Sequence, residues 1–172
     1  MIPYGKQSIL QEDIDSVIEV MNSEFLTQGP ITPKFEKELS NYCNSKYSVA
    51  VVNATCALHI ACLALDVKQG DIVWTSPISF VASSNAALYC GADVDFVDIE
   101  MDTYNMSVDS LEEKLIHSKK TGKLPKVVIP VHLAGQSCDM EKINELSKKY
   151  DFKIIEDASH AIGGEYLNEK VG

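Results

Sequence analysis

The stretch Lys126–His160, KVVIPVHLAGQSCDMEKINELSKKYDFKIIEDASH, decides the fold. It opens with KVVIPV, a short apolar run with the length and β-branched content of a buried strand. A helix follows from about Asp139, whose carboxylate can cap the free amide groups of a first turn. A second apolar run, FKIIE, closes the unit. Strand, helix, strand is how a chain lays two parallel neighbours into one sheet, because parallel strands need a long crossover to return to the starting edge.

The same alternation recurs toward the N-terminus. YSVAVV, from Tyr47, precedes the helical TCALHIACLAL; DIVW precedes FVASSNAALYC; DVDFV precedes a helix from about Asp109, with Ser107 and Asp109 as capping candidates. Near-continuous apolar strands joined by helices predict an α/β fold of three layers, with a mostly parallel sheet covered on both faces. Ahead of it, Ile14, Val17, Ile18 and Met21 recur at helical spacing and place an amphipathic helix over residues 12–22. The loop LTQGPITP follows. Thr32-Pro33 reads as the start of a second helix, with Phe35, Leu39, Tyr42 and Cys43 on its buried face and its end near Asn44. No repeat, low-complexity tract or linker interrupts residues 1–172, which read as one domain.

Composition narrows the function. With 172 residues, 45% of them hydrophobic and 23% charged, the chain can bury a core. A formal charge of −10 opposes attraction to nucleic acid or to an anionic membrane. All 15 basic residues are lysine, so no guanidinium fork exists to clamp a phosphate, and an anion must be held by backbone N–H groups, by lysine or by another chain. MIPYGKQS carries no apolar signal core, and no run approaches the ~20 apolar residues of a membrane span. A cytoplasmic protein is the expectation. Five cysteines, Cys43, Cys56, Cys62, Cys90 and Cys138, show no CxxC spacing and read as packed thiols, Cys56 excepted.

In open parallel sheets, ligands bind beyond the carboxyl ends of the strands. Four polar stretches follow strands here: NATCA, TSPISF, HLAGQ and DASH. Asn53-Ala54-Thr55-Cys56 sits where a strand turns into a helix, a place for a phosphate or simply an ordinary capped helix. Asp157 ends an apolar strand expected to lie centrally, where an ionised carboxylate needs a lysine, a metal or a cofactor cation as partner unless it is a cap or is solvated. His160 can point into the same cleft or be structural, and His132 is equally open. Phe80 is either a cleft wall or a core aromatic. His59 and His117 lie on helices with no visible partner. Glu156 and Asp157 are adjacent and alternate sides of the strand, so they make a poor metal set with His160. The glycine fingerprints of dinucleotide and P-loop sites are missing, as is the GxSxG elbow of hydrolases.

Taken together, IPYGKQ, LTQGPITPKFEKEL, NATCALHIACLAL, TSPISFVASSNAALYCGADVDFVDI, PVHLAGQ and IIEDASHAIGGEY resemble the amino-terminal half of the DegT/DnrJ/EryC1/StrS aminotransferases across essentially the whole chain. Tyr4, LTQG, NATCAL and PISFVAS most resemble members of the pseudaminic acid route. The resemblance implies the large domain of a fold-type I transferase dependent on pyridoxal 5'-phosphate, with residues 1–172 as its amino-terminal part and the small carboxy-terminal domain absent. It implies amination of a nucleotide-linked keto-sugar with a donor such as glutamate, in a homodimer when complete. Asp157 then pairs with the protonated ring nitrogen, Ala54 and Thr55 offer N–H groups to the phosphate, Phe80 stacks on the ring and His160 lies near its phenolic oxygen. Tyr4, Leu26, Thr27, Gln28 and Gly29 contact the nucleotide-sugar, and Cys56 flanks the substrate side. The Schiff-base lysine belongs to an S-F-H-x-x-K-like segment expected beyond Gly172, while Lys170 reads as a solvated surface charge and Lys153 stands at the wrong end of its strand. A chain ending at Gly172 is therefore expected to hold its cofactor without a covalent bond at best, to be inactive alone and to aggregate or oligomerise. The rival expectations are a non-catalytic binding or assembly module and one half of a split enzyme.

Overall fold

The computed structural model describes residues 6–172, and the chain divides into two compact units, the first ending at Ala50 and the second running from Val51 to Gly172. The first holds helices α1, Gln11–Met21, and α2, Ile31–Tyr42. At the start of α1, Leu10 N–H donates to Asp13 Oδ2 at 2.8 Å, and Glu12 and Asp13 place negative charge at the positive helix end. Both helices lie where periodicity puts them. Neither buries a residue, however, and the face expected to be covered in α2 leaves Phe35 at 55% and Tyr42 at 48% exposure, with Leu39 and Cys43 half-buried. Periodicity locates an apolar stripe but does not supply the surface that covers it, and two short helices cannot enclose their own apolar faces.

The second unit runs α3 (Ala54–Ala64), β1 (Ile72–Thr75), α4 (Ala82–Tyr89), β2 (Asp93–Phe96), α5 (Val108–Thr121), β3 (Val127–Ile129), α6 (Met140–Tyr150) and β4 (Lys153–Ile154), then a small hairpin of β5 (Glu165–Tyr166) and β6 (Glu169–Lys170). Strands β2-β1-β3-β4 pair in that order, all parallel. Alternation along the strands sorts the core into two layers. Trp74 and Val128 face one side with Leu111 and Leu115 of α5 and Ile143 and Leu146 of α6, whereas Val73, Val127 and Ile129 face the other with Leu58 and Cys62 of α3 and Ala86 of α4. This is the three-layer architecture expected.

Two strand expectations are corrected. Residues 47–52 form no strand; they join no ladder among the described residues, Ala50 N–H donating instead to Glu36 Oε1 at 2.8 Å, and Val49 and Val52 stay largely exposed, because an apolar β-branched run needs a ladder partner to become a strand. Strand β4 lies at the sheet's edge among the described residues, not at its centre, and is only two residues long, though the Val131–Asp157 bridge carries the parallel pairing further. His59 also has a partner, the Tyr89 ring, edge-on with centroids 5.5 Å apart. Caps fall where read: Ser107 Oγ accepts from Ser110 N–H at 3.2 Å, and Asp139 Oδ1 accepts from Lys142 N–H at 3.3 Å. All five thiols are free, with Cys62 and Cys138 fully packed and burial pushing each up to about 11, and with Cys43, Cys56 and Cys90 half-buried.

A candidate cofactor site at the carboxyl rim of the sheet

The four polar stretches meet at a cavity of about 270 Å³ formed within the second unit. Small-molecule sites begin near ~300 Å³, so the space suits one substituted ring rather than a dinucleotide. Asn53 opens α3 in an extended conformation, and its Oδ1 accepts from Cys56 N–H at 2.9 Å. The first amides of a helix have no intrahelical acceptor, and with Cys56 N–H already satisfied, Ala54 and Thr55 line the cavity at the positive end of the helix.

The loop after β1 brings Phe80 to the cavity, where it is 72% exposed and forms part of the wall rather than of the core. Asp157 lines the same space and is only 6% exposed. Its backbone continues the sheet, with its N–H donating to Pro130 O at 2.9 Å and its carbonyl accepting from His132 N–H at 3.1 Å. Its carboxylate accepts from Ser83 Oγ at 2.7 Å through Oδ2, and from Ser159 Oγ at 2.6 Å and Ser159 N–H at 3.3 Å through Oδ1. Among the described residues no lysine pairs with it. A buried acid oriented by neutral donors and facing a cavity leaves its charge to be matched by a ligand.

His160 also lines the cavity and is exposed. His132 is fully buried, and its ring geometry fixes its tautomer: Nδ1 accepts from Cys138 N–H at 3.1 Å, so the proton sits on Nε2 and is donated to Glu156 Oε2 at 3.0 Å. Glu156 thus serves His132 while its neighbour Asp157 serves the serines, the division that strand alternation anticipates. The HLAGQ turn is held by Asn105, whose Nδ2 donates to Gln136 O at 3.0 Å and Ser137 O at 3.1 Å while its Oδ1 accepts from Leu133 N–H at 3.1 Å. Within that turn Gly135 has φ +88°, and a Cβ there would stand 2.9 Å from His160 O, so only glycine lets the HLAGQ and DASH loops close on one another.

Other candidates fall elsewhere. Cys56 is half-buried and does not line the cavity. Leu26, Thr27, Gln28 and Gly29 lie in the first unit between α1 and α2, with Gln28 at φ +56°. Tyr4 lies outside the described residues. Lys170 is half-buried rather than solvated, its Nζ 2.6 Å from Glu165 Oε1, and Lys153 begins β4, so neither lines the cavity. Sequence reasoning missed Ser83, Ser159 and Asn105. The Asp-x-Ser spacing of Asp157 and Ser159 is a local turn signal that could have flagged one of them; Ser83 and Asn105 act across loops that no spacing joins.

The fold is a three-layer α/β domain with a cavity at the carboxyl rim of its parallel sheet. Residues 7–172 match the DegT/DnrJ/EryC1/StrS aminotransferase family, and the chain belongs to it. It is 41% identical over 172 residues to the UDP-4-amino-4,6-dideoxy-N-acetyl-beta-L-altrosamine transaminase of Campylobacter jejuni strain 81-176, covering 100% of this chain and 44% of that protein. It is 36% identical over 159 residues to the GDP-perosamine synthase of Caulobacter vibrioides, covering 92% and 41%. Among solved structures, Helicobacter pylori PseC, an aminotransferase involved in the biosynthesis of pseudoaminic acid, superposes with a TM-score of 0.89 at 33% identity, covering 99% of this chain and 44% of that one. The chain spans less than half the length of these relatives.

Proposed function

We propose that this chain is the cofactor-holding part of a pyridoxal 5'-phosphate-dependent aminotransferase that acts on a nucleotide-linked 4-keto-6-deoxy sugar, with an amino donor such as glutamate. The observation that carries the reading is Asp157: a buried carboxylate, fixed by two hydroxyls, unmatched by any lysine among the described residues and lining the same cavity as the start of α3. The donor set fits the group, because a phosphate needs the N–H side of the cavity and a protonated ring nitrogen needs the acid side.

When bound, the cofactor supplies an electron-withdrawing ring that takes up the electron pair left as a substrate proton departs. The chain's residues prepare that chemistry. Asp157 accepts the ring N–H and keeps its proton in place. Ala54 and Thr55 hold the phosphate through backbone N–H groups, which suits a chain without arginine. Phe80 covers one face and excludes water, and His160 stands at the mouth, within the loop that carries Asp157. Leu26–Gly29 and Tyr4 are assigned to the nucleotide-sugar, and Cys56 to its approach, on the family resemblance.

The narrower reading, the pseudaminic acid route, is supported by PseC. GDP-perosamine synthases among the relatives keep other nucleotide sugars in play as substrates, so the assay has two arms. A homodimer is proposed on the same resemblance, and five free thiols fit a cytoplasmic setting. The test is titration of the protein with pyridoxal 5'-phosphate, followed by formation of 2-oxoglutarate from glutamate with UDP- and GDP-linked 4-keto sugars. Saturable binding lost in Asp157→Ala supports the reading; absence of binding, or binding indifferent to that substitution, overturns it.

A further inference from the structure

We propose that Ser83 is a positioning residue that aims Asp157 Oδ2 at the ligand, and that Oδ2, not Oδ1, is the oxygen that receives the cofactor's ring N–H. The inference rests on the cofactor reading given above. A carboxylate offers about four lone-pair sites. Ser159 occupies two on Oδ1, through its hydroxyl at 2.6 Å and its amide at 3.3 Å. Ser83 occupies one on Oδ2 at 2.7 Å. The site left open is on Oδ2, and its direction is set by where Ser83 holds that oxygen.

Ser83 is built for this task. It is fully buried in the first turn of α4, 74 positions from Asp157 in sequence. A serine there has a local competitor for its single proton, the carbonyl three residues back, and Phe80 O does lie 3.2 Å from Ser83 Oγ. That carbonyl already accepts Ser83 N–H at 3.1 Å, and the carboxylate contact is both shorter and charge-assisted, so the hydroxyl proton goes to Asp157. The same residue therefore touches the Phe80 carbonyl through its amide and the acid through its hydroxyl. One residue thereby ties the backbone of Phe80, in the apolar wall, to the carboxylate.

Ser159 differs in kind. Its contacts are local, two residues along the same loop, and they move with the loop. Ser83 ties that loop to another element, and its loss frees Oδ2 to rotate about the side-chain bond of Asp157.

The experiment compares wild type, Ser83→Ala, Ser83→Thr and Asp157→Ala in the intact protein, each titrated with pyridoxal 5'-phosphate. Affinity and the near-ultraviolet circular dichroism of the bound cofactor are read alongside the melting temperature without it. Ser83→Ala is expected to weaken binding by about tenfold or more, the size of a hydrogen bond to a charged group, and to change the dichroic band, which reports how the ring is held. Ser83→Thr, which keeps the hydroxyl, is expected to restore the band. Should Ser83→Ala fail to fold, Ser83→Cys gives the same comparison with a near-isosteric, weaker donor. Wild-type binding lost in Asp157→Ala but unchanged in affinity and band in Ser83→Ala overturns the Ser83 assignment and leaves the cofactor reading standing. Wild type that binds no cofactor overturns both.

Discussion

The two units of this chain obey the same sequence rules and end differently. In the second, each helix stripe meets a strand face, and Leu111, Leu115, Val127, Val128 and Ile143 lose all contact with water. In the first, α1 carries a comparably regular stripe, Ile14, Val17, Ile18 and Met21, and every one of those side chains stays exposed. Periodicity is a local property of the chain, whereas burial is a property of what packs against it. The contrast also explains where the site lies: a cavity with a fixed carboxylate needs rigid walls, and only the sheet-bearing unit has them.

The largest effect expected is functional. Asp157→Ala removes the acid on which the proposed site is built, and cofactor-dependent turnover is expected to fall by orders of magnitude. A structural carboxylate would instead show its loss in the melting temperature, so the two measurements must be made on the same sample. If the melting point drops sharply and turnover per folded molecule does not, the second unit is simply the better packed one and the contrast carries no functional meaning.

Next comes the core itself. Leu111→Ala, between the sheet and α6, is expected to cost about 2–5 kcal/mol in chemical denaturation of the chain, because a rigid, fully buried site cannot collapse around the missing atoms. A loss below about 1 kcal/mol would show that this layer is loosely packed and would erase the difference between the units.

A smaller loss, about 1–3 kcal/mol, is expected for Gly135→Ala, which puts a side chain at φ +88° and a Cβ 2.9 Å from His160 O. Its sharper readout is weakened cofactor binding, since the DASH loop that carries Asp157 must give way. Stability and binding unchanged together would show that the two loops do not depend on their close approach.

How much of this was legible in the sequence follows from the range of the interactions. The βαβ order from β1 onward, the caps at Ser107 and Asp139 and the rim position of the three polar stretches that follow β1, β3 and β4 are set by residues within a few positions of one another and are readable, whereas NATCA reaches the rim without the strand expected before it. Asp157 was found because an acid at the end of IIE is locally incongruous. What could not be read depends on partners far along the chain. Residues 47–52 have a strand's composition, but a strand exists only in a ladder. The run before Asp157 reads as a central strand because it is apolar, yet apolar edge strands look the same in one dimension. Ser83 is one of two adjacent serines, and nothing in VASSNAAL says which of them reaches an acid 74 residues on.

The smallest effect expected bears most directly on the contrast between the units. Val17→Ala lies on the uncovered stripe of α1, where Val17 is 59% exposed. Removing its methyl groups there forfeits little burial, and alanine's better helix propensity offsets part of it by about half a kcal/mol. The denaturation midpoint of the 172-residue chain is therefore expected to move by no more than about 0.5 kcal/mol in either direction. A loss of about 2 kcal/mol or more, as for a buried valine, would mean that this face is covered in solution. Repeating the substitution across a range of protein concentrations separates the sources: a cost that grows with concentration points to a second copy seated on α1, because association stabilises the folded state by mass action.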